Sequence, residues 1–367
     1  MHILVTADTV GGVWTWSSEL VRGLLRCGHR VTLVSFGDIP VADQIQWMDG
    51  LDLDYRPTAF KLEWMQDSEA DLKASAEYLE AVASEIHPDI IHLSQFYYGA
   101  MKSDAPRLLV AHSDVVSWWQ AVHGTEPPDS TWIRWYRRVV SRGLASAYAV
   151  VAPSRWMLQQ VERFYGRPER GLVVYNGRTP SLFNPHMSKE EQVLTVGRLW
   201  DSGKNASLLL QQEMPMPVVI AGSERSPERT NANFSCPRGV DQIHFEPRQN
   251  EREMQSLFAR AAVYAATSCY EPFGLAPLEA ALSRCAIVAS DIPSFRELWE
   301  GAAIFFRNND SASLKDALHL VSQDRQLRLK FGNLAFERAK RDFGAERMVE
   351  EYLNIYRAIA RIPSLTL

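Results

Sequence analysis

The sequence predicts an α/β protein built from two Rossmann-like domains, and three observations carry that prediction. The chain has 367 residues, too many for one ordinary α/β domain and suited to two. Short apolar runs alternate with stretches of helical periodicity, as expected of a parallel sheet covered on both faces. The alternation then begins afresh in the second half, without a sequence repeat.

In the first half, His2–Thr6, Arg30–Ser35, Asp89–Leu93, Arg107–Ala111 and Tyr148–Ala152 read as strands, with helices including Thr15–Cys27 and Ser68–Glu85 between them. The second series runs Gln192–Val196, Pro217–Ala221, Gln242–Phe245, Ala262–Ala266, Ala286–Ser290 and Ala302–Phe306. Its helices are expected at Glu251–Ala261, Leu275–Leu282, Ser311–Ser322 and Arg325–Arg341. Asn-Gly, two prolines and polar residues place the connection around Asn176–Glu191. The domains are therefore expected at 1–175 and 176–344. The last helix, Ala345–Ala360, carries Met348, Tyr352, Ile355, Tyr356 and Ile359 at helical spacing, in a separate segment 345–367.

Composition narrows the function. A hydrophobic share of 46% suits globular cores, and a net charge of −5 gives no reason to expect nucleic acid. The chain opens on an apolar run without a basic leader, which argues against a signal peptide. No stretch approaches the length of a membrane span. Cys27, Cys236, Cys269 and Cys285 lie far apart, so buried free thiols in a cytoplasmic protein are expected, with no metal site.

Several short patterns could carry chemistry. Gly11–Gly12 lie between the first strand and a helix, where backbone can approach an anion; a steric turn is the other reading. Gly197–Arg198–Leu199 end a strand, and Lys204 follows six residues beyond Arg198. A planar guanidinium fork and a compact ammonium suit a diphosphate, although solvated surface charge gives the same letters. The segment Ser268–Ala280 is the most informative. Pro272 and Gly274 favour an irregular loop around Glu271, a helix starts near Leu275, and Glu279 falls about one turn into it. Carboxylates accept hydrogen bonds from sugar and ribose hydroxyls, and helix-start amides meet phosphate.

His112 ends a strand where it can bond a hydroxyl or hold loop backbone. Trp118, Trp119, Trp132, Trp135 and Tyr136 could form a platform for an acceptor. The stretch Trp132–Ala145 adds Arg134, Arg137, Arg138 and Arg142. It reads first as an amphipathic packing helix, with a membrane surface or a phosphorylated acceptor as the alternative.

Together these residues resemble glycosyltransferase family 4, the large retaining family with the GT-B fold, in which two Rossmann-like domains face an interdomain cleft. The resemblance covers most of the chain. Glu271 and Glu279, eight apart around Pro-Phe-Gly, match the family's two-glutamate signature. Gly197–Arg198–Leu199 with Lys204–Asn205 match its diphosphate segment, Gly11–Gly12 its glycine pair, and Asn176–Gly177 with Phe183–Pro185 its interdomain stretch. The resemblance implies a nucleotide-diphosphate-hexose donor (uridine, guanosine or adenosine), a sugar, glycolipid or small-molecule acceptor and no required cofactor or metal. It implies Arg198 and Lys204 on the diphosphate, Glu271 on the donor sugar and Glu279 on the ribose. It also implies His112 at the transferred sugar, and Phe273, Gly274 and Leu275 around the phosphate. Gln242–Arg248, with Phe245, would border the base. The final helix would cross back to the first domain. A cytoplasmic enzyme follows, with peripheral contact at the inner membrane face left open.

The chain departs from the family where Ser283–Arg284–Cys285–Ala286 replaces the common Gly-x-Pro-Val and Asp291–Ile292–Pro293–Ser294 replaces a glycine-rich turn. This leaves the transferred sugar open. A GT-B glycosyl phosphorylase and a noncatalytic sugar-binding protein are the rival readings. A glycosidase pair is not implied, because its carboxylates flank one scissile bond, whereas the family separates these two along the donor.

Overall fold

A computed structural model of the chain describes residues 1–224, 226 and 242–360; Cys236 lies outside them. The chain divides into two compact units, Met1–Gly177 together with the final helix from Ala345, and Arg178–Gly344.

The first unit runs β1 (His2–Asp8), α1 (Gly12–Arg26), β2 (Arg30–Phe36), α2 (Ala42–Ile45), β3 (Asp54–Pro57), α3 (Glu69–Ile86), β4 (Ile90–Leu93), β5 (Arg107–Val110), α4 (Val115–His123), α5 (Thr131–Ser146), β6 (Ala149–Ala152), α6 (Arg155–Tyr165) and β7 (Gly171–Val173). The sheet order is β3-β2-β1-β4-β5-β6-β7, and its pairings are parallel. Ile3, Leu4 and Val5 of β1 are fully buried because helices cover both faces. Two strands depart from expectation. β3 and β7 form the sheet edges, and their short, partly exposed sequences lack the buried apolar run that marked the other strands.

The second unit runs β8 (Glu190–Arg198), β9 (Val218–Ser223), β10 (Ile243–Glu246), α7 (Glu251–Arg260), β11 (Ala261–Ala266), α8 (Leu275–Leu282), β12 (Ala286–Ser290), α9 (Pro293–Trp299), β13 (Ile304–Phe306), α10 (Ser311–Gln323) and α11 (Arg325–Asp342). The order β10-β9-β8-β11-β12-β13 is again parallel. In both sheets the order reverses beside the first strand, the arrangement in which doubly wound folds place ligands beyond the carboxyl ends of their strands.

The final helix, α12 (Ala345–Ala360), belongs to the first unit and packs on α1. The two helices approach closely at Gly23, where a Cβ would lie 2.3 Å from a Val349 methyl. Tyr352 and Tyr356 of α12 join Trp16, His92 and His112 in a ring cluster. The Tyr356 hydroxyl and His92 Nδ1 are hydrogen-bonded within it.

The Trp132–Ala145 stretch is the packing helix α5, with Ile133, Tyr136, Val140 and Leu144 buried and Arg134, Arg138 and Arg142 exposed. Arg134 pairs with Asp129 and Arg137 with Glu126, both at 2.6 Å. Among the described residues no helix is long and apolar enough to cross a membrane. Cys269 and Cys285 are buried free thiols, but Cys27 is exposed because it follows the last turn of α1.

Candidate active site

The site of the second unit is built from the loops that follow β8 and β11. β8 ends on Gly197 and Arg198, two residues further than the sequence pattern suggests. Beside it in register is Gly222, at φ +144°, where a Cβ would sit 1.8 Å from the Gly197 carbonyl oxygen. Only a glycine lets the two strands end this close.

Asp201 then organises the turn. Its Oδ1 accepts a hydrogen bond from Gly203 N (2.9 Å), its Oδ2 one from Arg198 Nη2 (2.8 Å), and its carbonyl one from Lys204 N (2.9 Å). The loop after β11 is tied to this turn. Cys269 N and Tyr270 N donate to Gly203 O at 2.9 and 3.3 Å, and Thr267 Oγ1 donates to Lys204 O at 2.8 Å.

These cross-links bring together two residues 67 positions apart: the Lys204 ammonium is ion-paired and hydrogen-bonded to the Glu271 carboxylate. Ser268 Oγ donates to the same carboxylate at 3.2 Å. The pair borders a small recess whose lining includes Thr195, Gly197, Thr267 and Ser268. Arg198 instead rests over the Trp200 ring, 5.3 Å from its centroid, while bonded to Asp201. Gly274, at φ +89°, forms the start of α8, where no side chain caps the helix. A Cβ at Gly274 would come within 3.1 Å of both Glu271 and Pro277.

Glu279 lies on the second turn of α8 and meets a residue that the sequence reading did not single out. Arg178 Nε stands 2.9 Å from Glu279 Oε1, and Arg178 Nη2 donates to Glu251 Oε1 at 2.8 Å. A lone arginine in a polar connection ordinarily reads as surface charge; here only 2% of it is exposed. The connection's Asn-Gly and prolines gave no signal for this.

The remaining expected residues take different positions. Phe273 is buried with its ring edge-on to Phe343 at 5.3 Å, so its side chain serves packing. Phe245 lies half-buried on β10 against the core of the second unit. Gly11, Gly12 and His112 belong to the first unit. Gly11 is exposed at φ +122° ahead of α1, whose start no side chain caps. His112 follows β5 with its ring 4.5 Å from Trp16, and its enclosed Nε2 has no hydrogen-bond partner among the described residues. Burial lowers its pKa to about 3, so it is neutral near pH 7.

Where the family pattern is interrupted, Arg284 occupies a left-handed position at φ +60°, its guanidinium over Phe336. Lys189 donates to the carbonyls of Ala259 and Ser283 at 2.8 and 2.6 Å, satisfying the ends of α7 and α8. Among the described residues no group of three or more metal-capable side chains gathers.

The model of Glycosyltransferase Family 4 matches residues 10–182, and that of Glycosyl transferases group 1 matches residues 183–338. The first match covers most of the first unit and the second most of the second. The chain belongs to the GT-B glycosyltransferase superfamily.

This GT-B glycosyltransferase is 26% identical over 304 residues to the alpha-maltose-1-phosphate synthase of Mycolicibacterium smegmatis, covering 73% of this chain and 76% of that one. Two solved structures share its fold. The sucrose-phosphate synthase of Thermosynechococcus elongatus superposes with a TM-score of 0.77 at 15% identity, covering 98% of this chain and 99% of that one. Anabaena Alr3699/HepE, in complex with UDP-glucose, superposes with a TM-score of 0.74 at 18% identity, covering 98% and 100%.

Proposed function

We propose that the chain is a retaining hexosyltransferase of glycosyltransferase family 4, moving a hexosyl group from a nucleotide-diphosphate-sugar to an acceptor hydroxyl. The observation that carries this reading is the Lys204–Glu271 pair beside the uncapped start of α8. It sets a cation, a hydroxyl acceptor and helix-start amides against one another, as a sugar diphosphate requires. The Anabaena relative in complex with UDP-glucose supports a donor of that class.

In this reading Lys204 and Arg198 meet the charge that grows on the diphosphate as the anomeric C–O bond breaks, so no metal is needed. Glu271 holds donor-sugar hydroxyls and Glu279 the ribose; neutral His112 bonds the transferred sugar without taking a proton. The acceptor oxygen bonds to the anomeric carbon on the face the phosphate leaves. Its proton passes to the departing phosphate oxygen, and the configuration is preserved.

The test is a panel of UDP-, GDP- and ADP-hexoses, followed by nucleotide release, donor-dependent thermal stabilisation and the anomeric configuration of the product. One donor is expected to be consumed with retention. Lys204→Ala is expected to lower kcat by about 10²–10³-fold, the usual effect of removing one group that stabilises developing charge. No stabilisation and no turnover across the panel overturns the reading.

A further inference from the structure

Arg178 is the first residue of the second unit, and it is held at both backbone and side chain. Its N–H donates to Phe343 O at 3.1 Å, and Arg178 forms a parallel bridge with Gly344, so the residues where the chain enters and leaves this unit are joined. A buried guanidinium demands compensating charge. It finds Glu279 through Nε and Glu251, the first residue of α7, through Nη2, while the Phe183 ring lies 5.5 Å from its central carbon. The guanidinium is thus held by a hydrogen bond to Glu251, an ion pair with Glu279 and the Phe183 ring, and the residue's backbone is anchored as well.

Glu279 is 13% exposed and projects from a helix on a side chain with three rotatable bonds. Arg178 is ion-paired with one of its oxygens, which favours the rotamers that keep the carboxylate beside Nε. We infer that Arg178 is a positioning residue for donor binding: it aims Glu279 so that the carboxylate receives the two ribose hydroxyls of the nucleotide. The inference rests on the donor reading above and extends it to a residue outside the two-glutamate segment. A purely structural Arg178 would join the unit's ends and contribute stability alone. A positioning Arg178 also controls recognition of the ribose, and the two roles separate by ligand rather than by fold.

The experiment uses the full chain and calorimetric binding of UDP, GDP and ADP. The tightest is then compared with its 2′,3′-dideoxy counterpart. The wild type is expected to prefer the ribose form by roughly 10–100-fold, the range for hydrogen bonds to a charged group. Arg178→Lys keeps the charge but loses the fork, and its preference is expected to fall close to unity, as in Glu279→Gln. Combining the two substitutions should cost no more than either alone. Thermal unfolding is recorded for each variant. Glu251→Gln, at a position 44% exposed, supplies a milder variant that keeps the fold while releasing the far end of Arg178; it is expected to lose part of the preference.

A wild-type preference retained in every folded variant, whatever the change in Tm, overturns the inference and leaves Arg178 a clamp. Nucleotide binding by the wild type with no preference for ribose overturns the ribose role of Glu279, and the inference with it. No nucleotide binding at all overturns the donor reading itself.

Discussion

At Gly222 the second sheet comes to backbone contact just where the candidate site begins. Adding one methyl group there sets a Cβ 1.8 Å from a carbonyl oxygen, at a φ that L side chains rarely adopt. Neither partner is the end of a flexible side chain, so the strand ends must separate. Gly222→Ala is expected to destabilise the protein by about 2–4 kcal/mol, combining overpacking with backbone strain. Chemical denaturation measures the loss, and a change within about 0.5 kcal/mol, the ordinary surface range, contradicts this account. The same few residues show what a sequence reveals at this scale. Lys204 and Glu271 were legible because each lies in a loop directly after an apolar strand, where α/β folds carry their chemistry. Arg178 was not, because burial comes from what α7, α8 and Phe183 place around it, and no local pattern encodes that.

Among the elements, the contact of α1 with α12 depends on one missing side chain. Gly23 sits inside α1, where glycine costs about 1 kcal/mol relative to alanine. The substitution would therefore stabilise a free helix. Here the new Cβ meets the branched Val349, which has little freedom to yield. Gly23→Ala is expected to lower stability by about 1–3 kcal/mol, and Val349→Ala in the same chain to recover part of that loss. Thermal unfolding of the two single variants and the double variant checks this; additive losses would show that the residues do not compete for one space. Periodicity disclosed both helices, and the tight spacing between them was invisible because glycine in a helix reads only as a weak residue. The edge strands β3 and β7 escaped for a related reason. One side of each pairs with no strand, so their sequences carry no demand for full burial.

For the whole molecule, the restart of the α/β pattern made the two-unit architecture legible, and stability against acid follows from groups buried in the first of them. His92 is fully enclosed and its pKa is lowered by burial to about 3, from an ordinary 6.5; His112 follows it. The unfolded chain takes up these protons first, so their contribution is complete above pH 6.5. It is lost as pH falls toward 3, at about 1.4 kcal/mol per pH unit for each group. Glu63 acts in the opposite sense. Burial raises its carboxyl from 4.5 to about 7 while it accepts from Phe96 N and Tyr97 N at 2.8 and 2.6 Å. Its contribution is complete below pH 4.5 and is lost as pH rises through 7, which offsets part of the histidine effect between those values. Acid destabilisation should therefore steepen below about pH 4.5. In Glu63→Gln the decline between pH 6.5 and 4.5 should be about twice as steep as in the wild type; denaturation midpoints from pH 4 to 7 test the difference, and superimposable profiles would refute it.

The first unit is interrupted in sequence: its sheet is complete by Val173, yet its last helix begins at Ala345, after all of Arg178–Gly344. On a ribosome adding roughly 5–20 residues each second, the sheet emerges on the order of ten seconds before the helix that covers Gly23 and Trp16. During that interval the α1 face lacks the helix that covers it in the folded chain. The two residues that join that unit's ends, Arg178 and Gly344, thus also mark when the waiting begins and when it ends.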